Sequence, residues 1–249
     1  MRFKFLKRVV FILLVFYSCY SMSQQVADTS LVAKIENPYH TFQSGPLIYI
    51  DEMHHNFHTM EGRFKPFSDV MKSDGYNVKS LTRYDLLKSN DILVISNAIH
   101  QKNVGNWAQP IHDAFNTEEI TLLKNWVASG GRLLIIADHM PFSGATNTLA
   151  NAFGFDFCDG FAQLSQPTNK PDTFSEENLR LIPSIITDGS FGKKLHSVTT
   201  FTGSSFEIPK NAIGILKFLK GDTCLQPKIA WQFDDDTPTK DLELSLIHI

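Results

Sequence analysis

The chain has 249 residues, 43% of them hydrophobic and 20% charged, with a formal charge of −3. Those proportions support one sizeable globular core and exclude a disordered or collagen-like chain. A negative balance without a basic stripe or an aromatic-interleaved basic patch excludes a general nucleic-acid binder.

Arg2, Lys4, Lys7 and Arg8 precede an apolar run over residues 9–17 and a small-residue stretch over 18–23. This is the order of a secretory signal, and the apolar run is too short to span a bilayer. The expectation is a signal peptide over 1–23 and export to the periplasm or the medium, with no transmembrane span after cleavage. Ser18-Cys19 resembles a lipoprotein attachment site only weakly, because Phe16-Tyr17 stand before it. Residues 24–45 are polar and aperiodic and read as an arm leading into one domain over 46–243.

Residues 46–50 (P-L-I-Y-I) form the first predicted strand and run into Asp51-Glu52-Met53-His54-His55-Asn56-Phe57-His58. A helix follows, with Pro66 in its first turn, Phe67, Val70 and Met71 on one apolar face, and Gly75 at its end. Residues 76–81 read as an edge strand. Residues 91–96 (D-I-L-V-I-S) read as a buried strand, with Asn97 and His100 just past it. Asn116-Thr117-Glu118-Glu119 has the form of a capping box, and Ile120, Leu123, Trp126 and Val127 make a helical stripe that ends at Gly130.

The stretch G-G-R-L-L-I-I-A-D-H-M-P-F-S-G (130–144) then gives an uninterrupted apolar strand tipped by Asp138 and His139. Residues 145–153 read as a short helix. Alternating strands and helices predict a doubly wound, mostly parallel α/β sheet. Beyond residue 155 the pattern changes. Residues 155–194 are loop-rich, and short strands over 197–206, 213–219 and 228–233 predict an antiparallel C-terminal extension. Cys158 and Cys224 have no framework spacing and read as buried, unpaired thiols, although export permits a bridge.

Three strand tips gather the polar residues, and five of the eight histidines before residue 244 lie in them. Parallel strands open all three loops on one sheet edge, where α/β proteins bind ligands. The candidate catalytic residues are Asp138, His139 and His54. Asp51, His55 and His58 are candidate ligands for a divalent metal such as zinc, since imidazole and carboxylate are its usual donors. Glu52, Asn56, Asn97, His100, Ser143 and Gly144 are candidate contacts to a small-molecule ligand, Gly144 because with Ala145 it opens a helix whose free N–H groups can hold an anion. A histidine in such a cluster can instead act as a general base, or order its loop by bonding a backbone carbonyl. His54-x-x-x-His58 pairs two ligands only on a helix, and its place after a strand argues for a loop. There is no H-E-x-x-H, C-x-x-C or G-x-S-x-G signature.

The motifs D-E-M-H-H-N-F-H-T (51–59), W-V-A-S-G-G-R-L-L-I-I-A-D-H-M-P-F-S-G (126–144), F-G-F-D-F-C-D-G-F-A (153–162) and T-F-T-G (200–203) together resemble an exported bacterial family of the class I glutamine amidotransferase-like superfamily. The resemblance runs from about residue 47 to 233. It implies a flavodoxin-like sheet in a single domain and brings no assigned activity. Members continue into a further strand and helix, so the resemblance implies a C-terminally truncated reading frame. L-S-L-I-H-I (244–249) reads as translated sequencing adapter. Amidotransferases carry a cysteine nucleophile at the elbow occupied here by Ala137-Asp138-His139-Met140, which disfavours cysteine-dependent glutamine hydrolysis. The functional expectation is an exported protein that binds a small polar ligand such as a sugar derivative, with histidine- or metal-assisted hydrolysis as its catalytic form. The alternative is a non-catalytic ligand-binding or protein-interaction module.

Overall fold

A computed structural model describes residues 26–30, 35–165, 171–242 and the backbone of 246–247. The expected signal peptide, Cys19 and most of the 244–249 tail lie outside the described residues.

Four strands form a parallel sheet in the order β2-β1-β3-β4: β1 (Leu47–Asp51), β2 (Asn77–Leu81), β3 (Ile92–Ser96) and β4 (Arg132–Ile136). Helix α1 (Lys65–Ser73) covers one face, packing Phe67 and Met71 on Ile48, Ile50, Val78 and Val94. Helices α2 (Thr117–Ala128) and α3 (Phe142–Asn151) cover the other, where Leu123, Trp126 and Leu149 pack on Tyr49, Leu81, Leu93 and Ile95. Successive side chains of a strand point to opposite faces, so the two apolar sets of each buried strand feed two separate cores.

The capping box of α2 forms as expected: the Asn116 side chain accepts from Glu119 N, and the Glu119 carboxylate accepts from Asn116 N. Helix α3 starts three residues earlier than its apolar pattern predicts, at Phe142, directly after the cis Met140–Pro141 bond. The arm bonds along the end of α1 and the start of β2, through His40 N to Asp74 O and Gly45 N to Gly75 O. Gly75 takes φ +89°, and a β-carbon there would collide with the His40 carbonyl.

Beyond α3 the chain forms small antiparallel sheets. β6 (Phe161–Gln163), β10 (Thr223–Leu225) and β11 (Thr239–Asp241) make one, and β5 (Asp156–Phe157), β9 (Ser205–Glu207) and β12 (Leu246–Ile247) another. β7 (Asp172–Ser175) pairs with β8 (Ser197–Thr200). The extension is antiparallel as expected, but its strands are mostly elsewhere. Segments 213–219 and 228–233 contribute only the single bridges Leu216–Leu181 and Ile229–Ala108. β5, β6 and β7 arise in the stretch read as loop, because two to four residues are too few to show a period.

Cys158 and Cys224 are joined in a disulfide, which corrects the expectation of unpaired thiols. Pairing of β6 with β10 sets Cys224 opposite Ala162 and so beside the Cys158 turn. The bridge is buried among Phe174, Leu181, Leu216, Phe218 and Leu242. Arg180 and Asp222 form a buried ion pair in the same unit. No helix among the described residues is long and apolar enough to cross a membrane.

Candidate functional site

Strand order reverses between β1 and β3, since the chain leaves β1 toward β2 on one side and returns to β3 on the other. The crevice past the carboxyl ends of those two strands is where an open α/β sheet binds ligands. Asp51 ends β1 there, 1% exposed, and His54 follows in the loop, 6% exposed. Asp51 Oδ2 accepts from His54 Nδ1 at 2.7 Å and from Asn56 Nδ2 at 3.0 Å. Asp51 Oδ1 accepts from Met53 N, and Asn56 Oδ1 from His54 N. The loop is therefore tied to the strand tip by the carboxylate that sequence reading placed among the metal ligands.

The other face of the His54 ring meets Glu119 of α2, with Nε2 3.3 Å from Oε1, and the Tyr84 hydroxyl lies 3.5 Å from the same nitrogen. Burial acts to lower the His54 pKa, but its bonds and charge interactions with Asp51 and Glu119 outweigh that and raise it above the ordinary histidine value. Burial, with the charges of Asp51 and Glu119, raises the Tyr84 phenol. His54 is thus clamped between two carboxylates that favour its charged form, beside the Tyr84 hydroxyl. Neither Glu119 nor Tyr84 stood among the candidates. Glu119 shows in the sequence only as a cap, and its partner is 65 residues away.

A cleft of about 380 Å³ opens on this group, lined by His54, His55, Ile99, His100, Asp113 and Glu119 among others. His100 Nδ1 accepts from Lys102 N, so its Nε2 carries the proton of the neutral ring. Burial, with the charges of His112, Lys102 and His55, lowers the pKa of His100 and favours that neutral form. The cleft walls carry two carboxylates, Asp113 and Glu119, beside the imidazoles of His54, His55 and His100, a mixture of acceptors and donors that suits hydroxyl-bearing ligands.

Asp138 and His139 are not part of these walls. Asp138 N donates to Asn97 Oδ1, and burial raises the Asp138 pKa against the opposing pull of His139 and Asn97. His139 Nδ1 bonds its neighbour's carbonyl, Met140 O, at 2.6 Å, and its Nε2 lies 3.8 Å from Asp138 Oδ2. The ring is stacked on Phe161 and set edge-on to Trp231 and Trp107. Asn97 holds a left-handed backbone, φ +47°, and its Nδ2 is buried without a hydrogen-bond partner. The expected single constellation is therefore divided: His54 faces the cleft, and the Asp138–His139 pair sits in an aromatic cluster.

The anion expected at the start of α3 is supplied by the chain itself. Asp159 Oδ1 accepts from Gly144 N at 3.1 Å and lies 3.5 Å from Ser143 Oγ. Burial lifts the Asp159 pKa to about 6 against these bonds. Ser143 and Gly144 are thus filled from within.

Glu52 is likewise committed, accepting from Met60 N. His58, in a loop as expected, bonds Ser96 Oγ through Nδ1 and stacks on Phe64. Burial, helped by Arg63, pulls its pKa down to about 4. Asp51, His55 and His58 do not converge, and among the described residues no three His, Cys, Asp or Glu side chains are grouped to hold a metal ion. The donors expected for zinc do not fit one.

No protein-family model matches the sequence, and no curated protein matches it. Among solved structures the fold is similar to the "mmIFT52 N-terminal domain", with a TM-score of 0.54 and 14% identity over 70% of this chain and 74% of that one. At that identity the likeness shows a shared α/β fold alone.

Proposed function

We propose that this chain is an exported, flavodoxin-like domain of the class I glutamine amidotransferase-like kind that binds a small polar ligand, such as a sugar derivative, in the cleft past β1 and β3. The observation that carries this reading is His54, buried between Asp51 and Glu119 at the wall of a cleft at the strand-order reversal. The Asp113 and Glu119 carboxylates and the His100 Nε2–H offer acceptors and a donor of the kind a polyhydroxylated ligand satisfies. The four-stranded parallel order and the motifs at the strand tips support the family reading.

In a hydrolytic form His54 serves as the acid. Its Nε2 proton passes to the leaving-group oxygen, and the Glu119 carboxylate takes a proton from the attacking water. A non-catalytic binding module is the second reading, favoured by the engagement of both His54 ring nitrogens. Thermal-shift screening of monosaccharides, disaccharides and uronic acids, paired with turnover assays on aryl glycosides and aryl esters, tests both. The expected result is a sugar that stabilises the wild type and fails to stabilise Glu119→Gln. Turnover lost in His54→Gln supports the hydrolase, and binding without turnover supports the module. Absence of any sugar binding, or binding indifferent to Glu119→Gln, contradicts the proposal.

A further inference from the structure

The turn after residue 228 is pinned to the 107–109 segment on both sides. Gln109 N donates to Lys228 O and Ala230 N to Trp107 O, and Gln232 N closes the turn on Ile229 O. Its third residue, Trp231, has φ +69°, a conformation that this turn position ordinarily gives to glycine or asparagine and that a bulky residue rarely adopts. The indole is nevertheless 48% exposed, and Phe233 is 45% exposed. Both rings pack on buried Phe161, at 4.6 and 5.2 Å between centroids, and Trp231 lies edge-on to His139 at 4.7 Å. Two half-exposed aromatic rings are thus held beside the Asp138–His139 pair.

Around that pair, hydrogen-bonding capacity is left over. Asn97 is 1% exposed and its Oδ1 is taken by Asp138 N, but its Nδ2 is buried and makes no hydrogen bond. A buried amide donor without a partner costs stability, which a ligand oxygen would recover. The Asn97 amide pulls the Asp138 pKa down against the effect of burial, which sets it on the side of that carboxyl. On His139, the Met140 carbonyl can only accept, so Nδ1 carries the proton and Nε2 of the neutral ring has its lone pair free. Nε2 stands 3.8 Å from Asp138 Oδ2, too far for a direct hydrogen bond and a separation that one bridging oxygen spans. A donor and a lone pair therefore meet at the Asp138 carboxyl, whose side chain is 28% exposed.

We propose that Asn97, Asp138, His139 and Trp231 form a second ligand site, separate from the His54 cleft, that takes one hydroxyl-bearing ring of a glycan. The ring lies against Trp231, and one of its hydroxyls accepts from Asn97 Nδ2 and donates to His139 Nε2 or to the Asp138 carboxylate. A hydroxyl is the group that does both, since it has one proton to give and two lone pairs. Trp231 supplies apolar surface at little cost in flexibility. The half-exposed platform favours a sugar over a flat apolar molecule, because a ligand held on one face keeps its other face in water. The site stands whether or not the His54 cleft binds a sugar.

Calorimetric titration of the full chain with cellotetraose, maltotetraose, xylotetraose and chitotetraose, read together with tryptophan emission, tests this. At least one of these glycans should bind with a blue shift, as the sugar removes water from the Trp231 indole. Trp231→Ala should weaken that binding about tenfold and abolish the shift, and Trp231→Phe, which keeps a ring, should recover most of the affinity. Asp138→Asn, which sets a second amide against that of Asn97, should weaken it similarly. Glu119→Gln, in the other cleft, should leave it unchanged. Should Trp231→Ala lose its fold by circular dichroism, Asp138→Asn decides. Absence of binding by every glycan, or binding indifferent to both Trp231→Ala and Asp138→Asn, overturns the proposal. Binding lost in Glu119→Gln alone overturns it too, and leaves the His54 cleft as the sugar site.

Discussion

Glu119 caps α2 with one carboxylate oxygen, through Asn116 N at 2.9 Å, and faces His54 Nε2 with the other at 3.3 Å. The helix cap and the candidate site thus share one side chain. Asn116→Ala and Glu119→Ala should each weaken the cap, by about 1 kcal/mol in chemical denaturation. Only Glu119→Ala should also lower the His54 pKa. An equal His54 pKa in both variants would separate the cap from the site.

Asp51 is buried and holds His54, Asn56 and the Met53 amide. Asp51→Asn keeps the shape but leaves a buried imidazole facing an amide, and losing one partner of a buried pair destabilises by about 3–5 kcal/mol. Urea unfolding should show a loss in that range. A loss below about 1 kcal/mol, typical of a surface pair, would mean that the contact adds little.

Gly144 is needed for a close approach. A β-carbon at that position would lie 2.5 Å from the Asp159 carboxyl carbon. Gly144→Ala should therefore expel Asp159 from the start of α3 and lower the melting temperature, and Asp159→Gly in the same chain should recover part of the loss. An unchanged melting temperature in Gly144→Ala would show that Asp159 is not seated there.

His58 is held neutral, its pKa pulled from 6.5 to about 4 by burial and by Arg63. The unfolded state binds the proton more readily, so the contribution of this group is full above about 6.5 and is lost as pH falls from there toward 4. At full protonation the loss is at most about 3 kcal/mol. His58→Phe, which keeps a ring against Phe64, should flatten stability against pH in that window. A slope equal to that of the wild type would place the acid sensitivity elsewhere.

The parallel sheet was legible because β1, β3 and β4 carry apolar runs of four or five residues and α2 announces itself through Asn116 and Glu119. Asp51, His54 and Asn56 were legible as a group because they occupy one loop past a strand end. Glu119, Tyr84 and Asp159 were not. Each reaches the site from another element, and nothing local marks a helix cap or a turn carboxylate as the partner of a distant residue. The disulfide escaped for the same reason, since its cysteines are 66 residues apart and meet through β6 and β10 pairing. Asp159, which accepts from Gly144 N, was hidden in a stretch without periodicity.

The central claim is that Asp51 and Glu119 clamp His54 and favour its charged form, and nitrogen-detected NMR of histidine-labelled protein across pH tests it most directly. The account predicts that His54 stays doubly protonated to a pH above 6.5, and that its pKa falls in Glu119→Gln. A His54 that is neutral below pH 6.5, or whose titration is the same in Glu119→Gln, would contradict it.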